Sequence, residues 1–574
     1  MTKIDIVIPV YNALSYVKLL LESLNNQTCL AKNINVIIVD DASEPETNAF
    51  LLRYKRSKEN VTLITNKENM GYTRSLNKGI RAGTAPLVIQ VNSDCVLSSK
   101  AVEKLARWFS RDEALFALSP MSNAASWQSI PKLFDEHGGM AVNETLAGLS
   151  VDQMDDFCES YGSGLAETQL LNGFCIMYRR DMLEIIGLAD EESFPKGYGE
   201  EDDLHLRAAN ADLKIAVATN CYVYHNKTKS FSTEQRSALT VEGRKIINER
   251  YSNERVVRIT GSLKEHPRFY SIKTASNFYS DVHISPMRAY LAIDWDQCVK
   301  NRAENTVSFI MPVYKDGEMT RDAIVSLYNS LPSSMSCEIV AVLNGASEDC
   351  VSVIESLREK CNLKIVSLPE NLFFSMGCNM GFKESKGDTV IFVNNDMIFN
   401  SEPWIESITD ALKVSSVGCA SIKLVYEDQT IQSAGFVWAD QSFFPVEINK
   451  NLPSHSATGK FECFGATGAC LGMRATDFAY LKGFDPLFIN GSEDIDLCMK
   501  INVILNKKTH VNLSYSAVHL ESKSPGRATW IKSNRKLFYL RWAGYISGIG
   551  YSFDKTVVAA DNLPSPIRMY KAVM

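Results

Sequence analysis

Six side chains in this 574-residue chain stand where they could do acid–base or metal chemistry, and they come as two sets of three. The first set is Asp94, Glu201 and His225; the second is Asp396, Asp494 and His519. A strand-end carboxylate with an imidazole can hold Mg²⁺ or Mn²⁺, which are usually bound by one or two carboxylates together with phosphate oxygens. A second carboxylate nearby can take a proton from a hydroxyl. His225 follows Glu201 by 24 residues and His519 follows Asp494 by 25. With only eight His in the chain, two at matched places point to a shared role rather than to two core imidazoles.

Each set also has a bland reading. Asn92-Ser93-Asp94 and Asn394-Asn395-Asp396 could be turns. Glu200-Glu201 and Glu493-Asp494, each just after a Gly-containing loop, could serve only to stabilise a helix N-terminus through its dipole. One copy would leave those readings open, and two copies in the same order argue against them. Asp203 and Asp496, further into each helix, suit capping or orienting roles, which leaves the preceding carboxylates, Glu201 and Asp494, to work as bases.

The elements that must position these groups also recur. Lys3 to Val10 is an apolar run expected as a strand buried on both faces. Helical spacing follows over Ala13 to Asn26, then a strand at Ile34 to Val39, a helix at Thr47 to Lys55, a strand at Val61 to Ile64, a helix at Tyr72 to Ala82 and a strand at Pro86 to Val91. Thr306 to Val393 repeats this order. Alternation of this kind predicts an α/β fold with a mostly parallel, Rossmann-like sheet in each of two tandem domains, and ligands beyond the carboxyl ends of the strands. Tyr11, Asp40, Asp41, Asn92 and Asp94 lie at such ends, as do Tyr314, Asn344, Asn394 and Asp396. The first strand runs into Val10-Tyr11-Asn12-Ala13, not a GxGxxG loop, which disfavours a dinucleotide and leaves a divalent cation to meet a diphosphate.

Size and charge agree. The length suits two domains. A formal charge of −7 and a pI near 5.8 give no basic field for nucleic acid. Fourteen Cys without paired spacing fit reduced thiols, and the chain opens on a strand with no signal-peptide pattern, so a cytoplasmic protein is expected. No apolar run reaches membrane-spanning length; the nearest, Leu537 to Phe553, contains Arg541 and several Gly.

With these motifs in order (Ile8-Pro9-Val10-Tyr11, Val39-Asp40-Asp41-Ala42-Ser43, Asn69-Met70-Gly71 with Asn77-Lys78-Gly79, Asn92-Ser93-Asp94, the acidic helix and the His), each half resembles the family 2 glycosyltransferases of GT-A fold. The resemblance covers roughly 3–250 and 306–540. It implies inverting transfer from a nucleotide sugar, UDP- or dTDP-linked, with Mn²⁺ or Mg²⁺ as cofactor and a glycan or lipid-linked glycan as acceptor. Asp40 or Asp41 would meet the base, and Asp94 and His225 the metal. Glu201, with Glu200 beside it, would be the general base where the family usually has Asp. In the second copy Asp396 and His519 take the metal, and Asp494, beside Glu493, the proton. Pro9, Tyr11, Asn69 and Asn92, and Pro312, Tyr314, Asn344, Asn371 and Asn394, complete the donor side. Leu343 stands where the base-binding Asp is expected, so the two donors would differ.

The expected organisation is a first domain over 1–250, a connector over 251–305, a second domain over 306–545 and a tail over 546–574. Arg568 and Lys571 in the tail would permit peripheral contact with the inner face of a membrane. The leading expectation is a bifunctional enzyme of capsule, O-antigen or other surface polysaccharide synthesis. The rivals are a chain with one working domain and one relic, and a sugar-nucleotide-binding protein without catalysis.

Overall fold

The computed structural model describes residues 2–27, 33–227, 233–264, 266–400, 403–437, 445–521 and 527–548. The chain divides into two compact units, 1–281 and 282–574. Residues 251–305, expected as a connector, carry helices Asn253–Lys264 and Tyr270–Phe278 in the first unit, and Ile284–Leu291 and the start of a strand in the second. Pro286 lies in the first turn of its helix, where no intrahelical donor is needed. Nearly all of the expected tail lies outside the described residues.

In the first unit the strands are β1 (Ile4–Val10), β2 (Ile34–Asp40), β3 (Val61–Thr65), β4 (Leu87–Val91), β5 (Cys95–Leu97), β6 (Leu115–Met121), β7 (Leu165–Thr168), β8 (Cys175–Arg179) and β9 (Lys214–His225). Among the described residues they form one sheet in the order β3-β2-β1-β4-β8-β6-β9-β5, with β7 also on β9. The second unit has β10 (Ala303–Val313), β11 (Ser336–Asn344), β12 (Leu363–Leu368), β13 (Gly387–Val393), β14 (Met397–Ile398), β15 (Val417–Val425), β16 (Ile431–Ser433), β17 (Phe436–Val437), β18 (Val446–Glu447), β19 (Lys460–Cys463), β20 (Cys470–Arg474) and β21 (Lys508–His519). Its main sheet runs β12-β11-β10-β13-β20-β15-β21-β14, with β16 on β15 and β19 on β21; β17 and β18 pair apart from it.

Both units are α/β domains, but only the first four strands of each are wholly parallel. β8 lies antiparallel between β4 and β6, and β20 antiparallel between β13 and β15. Hydrophobic alternation does not encode strand direction, and a strand reached by a long excursion can enter the sheet either way.

The Pro of each Pro-Val-Tyr run marks where the sheet opens. β1 pairs with β4 only as far as Val7, while its pairing with β2 continues to Val10. The Val10 carbonyl accepts from the Asp41 amide, so by alternation the Pro9 nitrogen faces the β4 side, where pairing has ended. A residue without an N–H costs no ladder bond there. In the second unit the β10–β13 pairing likewise ends at Ile310, two residues before Pro312. Tyr11 and Tyr314 follow these strand ends and are exposed.

The Asn-x-Gly motifs are packing devices. A Cβ on Gly79 would lie 2.4 Å from Val7 Cγ1, and one on Gly381 would lie 2.4 Å from Ile310 Cγ2, so glycine lets each helix (Tyr72–Ala82, Phe373–Glu384) press onto its sheet. Asn77 donates to the Ala189 carbonyl at 2.8 Å and Asn379 to that of Phe484 at 2.7 Å, tying down the segment that leads to each acidic helix.

A late helix then anchors that acidic helix. Arg250, at the end of helix Thr233–Tyr251, reaches Asp203 at 2.7 Å and Asp190 at 2.9 Å, and the Tyr251 hydroxyl donates to Asp203 at 2.8 Å. In helix Arg527–Gly548, Arg541 reaches Asp496 at 3.0 Å and Asp485 at 2.7 Å, and the Trp542 indole donates to Asp496 at 2.9 Å. Asp203 and Asp496 thus orient their helices.

Replacing Gly79 with Ala should lower the first unit's stability by about 1–3 kcal/mol, the usual cost of forcing a methyl into a filled core. A denaturant midpoint equal to or above the parent's would contradict this packing role.

Candidate active site

Strand pairing brings the metal candidates together. β5 lies antiparallel to β9 with Cys95 opposite His225, and β14 to β21 with Met397 opposite His519. Asp94 Oδ1 is 3.4 Å from His225 Nε2, and Asp396 Oδ1 is 3.1 Å from His519 Nε2. All four residues are buried.

The far side of each ring sets its tautomer. His225 Nδ1 lies 3.0 Å from the Ala124 carbonyl oxygen, which can only accept, so Nδ1 carries the hydrogen. His519 Nδ1 faces Gln432 Oε1, and Gln432 Nε2 donates to the His519 carbonyl at 3.4 Å, which fixes the amide's orientation. A ring held this way turns Nε2 to a carboxylate oxygen. Two acceptors at that distance need a cation between them, either a proton or a metal ion. One imidazole nitrogen and one carboxylate oxygen form a donor set that suits Mn²⁺ or Mg²⁺ with phosphate oxygens completing the shell. The residues fit the expected metal.

Cys95 also comes close, its sulfur lying within 4.8 Å of the Asp94 and His225 ligand atoms. Its thiol donates to the Phe174 carbonyl, and burial, with Asp94 next, pushes its pKa well up. The second unit has Met397 at that place.

A glycine-bearing strand entry joins the metal pair to the acidic helix. The Asn92 amide donates to the Phe174 carbonyl at 2.8 Å, and the Phe174 ring stacks on His225 with centroids 5.5 Å apart. A Cβ on the preceding Gly173 would sit 3.2 Å from Glu201 Oε1, so the bare glycine makes room for that carboxylate. In the second unit the Asn394 amide donates to the Ala469 carbonyl, and the Gly468 amide donates to Asp494 Oδ2 at 3.0 Å. Asp94, His225, Asn92 and Glu201 therefore belong to one cluster, as do Asp396, His519, Asn394 and Asp494.

The partners of the acidic pairs differ. Glu200 is buried, and burial first, then the charge of Glu201 and a hydrogen bond to it, raises its carboxyl well above the usual range. Glu493 instead caps its loop, accepting from the Gly491 amide at 2.5 Å.

Several donor-side candidates are committed to the fold. Asp40 accepts from the Ser43 amide and from Asn48. Asp41 accepts from Asn66 and from the amides of Met70 and Gly71, which shapes the loop ahead of the Tyr72 helix. Asn344 stands at Asp41's place: its Oδ1 accepts from the Leu372 amide and its Nδ2 donates to the Phe373 carbonyl. Leu343, opposite Val313, falls where Asp40 lies opposite Val10. Asn69 accepts from the Gly71 amide, and Asn371 from the Phe373 amide. Pro9 is buried and Pro312 half-buried, whereas Tyr11 and Tyr314 are 50% and 42% exposed and open to a ligand. The polar stretches after the two histidines fall largely within 228–232 and 522–526, outside the described residues.

Sequence reading missed Tyr72. Its hydroxyl donates to Asn92 Oδ1 at 2.9 Å, and burial, then Glu200 and Glu201, pushes its pKa well up and keeps it a neutral donor. It bridges the acidic pair and the strand-end motif. The only signal was an aromatic directly after Asn69-Met70-Gly71, matched by Phe374 in the second copy.

Comparison with known proteins agrees with this two-fold arrangement. The chain is 22% identical over 97% of its length to an O-antigen biosynthesis protein, RfbC, of Myxococcus xanthus, and spans 40% of that protein. It is 36% identical, over 19% of its length and 17% of the relative's, to a poly(ribitol-phosphate) beta-glucosyltransferase of Bacillus spizizenii. The chain thus spans well under two thirds of these relatives. Among solved structures, a Pyrobaculum calidifontis mannosyltransferase in complex with GDP-Man and Mn²⁺ matches with a TM-score of 0.34 and 15% identity, covering 51% of this chain and 79% of that one. The family model described as glycosyl transferase family 2 matches residues 5–186 and 308–482, more than half of the chain and once in each unit. The chain belongs to glycosyl transferase family 2, and it is a transferase.

Proposed function

We propose that the chain is a bifunctional inverting glycosyltransferase of surface-polysaccharide synthesis. Each unit would move one sugar from a UDP- or dTDP-linked donor to a growing glycan or lipid-linked glycan. The observation that carries this reading is the recurrence, in both units, of an imidazole lone pair aimed at a strand-end carboxylate, with a second carboxylate joined to it through one glycine. The names of the relatives, O-antigen biosynthesis and poly(ribitol-phosphate) glucosyl transfer, support a cell-surface polymer as acceptor.

Asp94 with His225, and Asp396 with His519, would hold Mn²⁺ or Mg²⁺, which when bound supplies Lewis-acid stabilisation of the leaving diphosphate. Tyr11 and Tyr314 would flank the donor at the open ends of β1 and β10. The base edge would be met beside the Asp41 or Asn344 loop. Glu201 or Asp494 takes the proton of the acceptor hydroxyl, whose oxygen attacks the anomeric carbon as the bond to the nucleoside diphosphate breaks on the opposite face. Glu200 stays protonated and donates to Glu201, which orients the base. Two sites on one chain would raise the local concentration of each product at the next site.

Among the described residues, no helix is long and apolar enough to cross a membrane. Work from the cytoplasm, with the basic tail at the inner membrane face where a lipid-linked acceptor would sit, is part of the same proposal.

Nucleoside diphosphate release across a panel of nucleotide sugars tests this reading. Asp94→Ala and Asp396→Ala should each abolish release from a different donor, and one silent variant would leave a single working domain. Release from no donor, with Mn²⁺ and acceptor extracts present, would leave only sugar-nucleotide binding.

Glu201→Gln and Asp494→Asn should each cut kcat for their own donor by about 100-fold or more, as expected when a general base is lost. Donor KM should change little, and an unchanged kcat would remove these residues from the chemistry.

Burial, reinforced by Glu201, pushes Asp202 to about 8. The unfolded carboxyl titrates near its ordinary value of about 4. The folded chain thus keeps a proton that the unfolded chain has lost, and stability falls as pH rises from about 4 towards 8. Asp202→Asn should therefore raise the first unit's melting temperature at pH 8 and leave it nearly unchanged at pH 4. Equal shifts at both pH values would contradict the burial argument.

A further inference from the structure

Among the neighbours in which the two metal candidates differ is the partner of the strand-end asparagine. In the first unit Asn92 Oδ1 accepts from the Tyr72 hydroxyl at 2.9 Å, which pins the amide. The second unit has Phe374 in place of that tyrosine and no hydroxyl to offer. Asn394 Oδ1 is buried there with no hydrogen-bond partner among the described residues. The other end of the same amide, Nδ2, lies 3.4 Å from His519 Nε2, the nitrogen that also faces Asp396 Oδ1 at 3.1 Å.

A buried carbonyl without a donor is costly, on the order of 1–3 kcal/mol. The two ends of an amide have nearly the same shape, so a half-turn about its terminal bond exchanges them with little change in packing. That turn would set three acceptors around one point: Asn394 Oδ1, His519 Nε2 and Asp396 Oδ1. Such a triad repels itself when empty and suits a divalent cation, with neutral amide and imidazole beside one carboxylate. In the orientation seen, Nδ2 donates to the imidazole.

We propose that Asn394 is a third protein ligand of the second unit's metal, giving that unit an Asn–Asp–His set where the first unit pairs Asp and His beside a cysteine. This rests on the reading of both clusters as metal sites. In the first unit the hydrogen bond from Tyr72 holds the Asn92 carbonyl away from such a role. The second site should therefore bind divalent cation more tightly than the first, and the two activities should need different metal concentrations.

The test is binding of Mn²⁺ alone, followed by the electron paramagnetic resonance of the free ion, on the full chain carrying Asp94→Ala to silence the first site. Asn394→Ala should weaken binding by about 10- to 100-fold, the range seen when a metal site loses a supporting group. Asn394→Asp should restore it, because a carboxylate can ligate where a methyl cannot. Phe374→Tyr, which supplies the hydroxyl that pins the amide, should weaken binding although every ligand remains. Binding within about two-fold of the parent in Asn394→Ala would overturn the assignment, as would an Asn394→Asp chain no better than Asn394→Ala. If the Asp94→Ala parent binds no more Mn²⁺ than the Asp94→Ala, Asp396→Ala double variant, the metal reading of the cluster itself fails.

Discussion

Both halves of this protein are organised around an imidazole lone pair held against a carboxylate oxygen. Two acceptors so placed need a cation between them, a proton or a metal ion, and the surrounding structure holds them in position. An antiparallel strand pair sets the separation, and a hydrogen bond on the far ring nitrogen forbids the ring to turn its N–H towards the acid. On the proposed function this opposition, built twice, is where a cation would sit.

The rest of each unit serves to bring a proton acceptor to that point. A glycine in the helix after β3 or β12 lets it press onto the sheet. An asparagine on the same helix holds the approach to the acidic helix, and an Arg with an aromatic on a late helix clamps the inner aspartate. Asp203 and Asp496 lie among the acids of the first turn, yet they orient rather than react. The acid next to the glycine loop is the one left able to meet a hydroxyl. Holding further acids beside it, as with buried Glu200 and half-buried Asp202, costs stability at neutral pH, and such a cost is commonly tolerated where function requires it.

Divergence between the copies is concentrated on the donor side. Leu343 replaces Asp40, Asn344 replaces Asp41, Phe374 replaces Tyr72 and Ala469 replaces Phe174, while Asp94 and His225 recur as Asp396 and His519 and Glu201 has its counterpart in Asp494. Asn344 still shapes the neighbouring loop because an amide can accept from one backbone amide and donate to the next carbonyl. The loop survives, but the charge and the hydrogen bonds offered to a ligand do not. This is the pattern expected of two sites that share a reaction and differ in substrate.

The repeated order of motifs was sufficient to identify two α/β domains and their parallel first halves, and it named six side chains that the fold then brings into two clusters. Those features are local: apolar runs and strand-end acids are written in consecutive residues and recur in both copies. The direction of β8 and β20 and the commitment of Asp41 to its loop were not legible, because partners far apart in the chain decide them. The same holds for Tyr72, which reaches Asn92 only after the helix following β3 packs against the sheet, and for Gln432, which lies 87 residues from the histidine it orients. Residue type shows what a side chain is able to do. Only tertiary packing decides which of its lone pairs and hydrogens remain available to a ligand, because every neighbour brought in by folding competes for them.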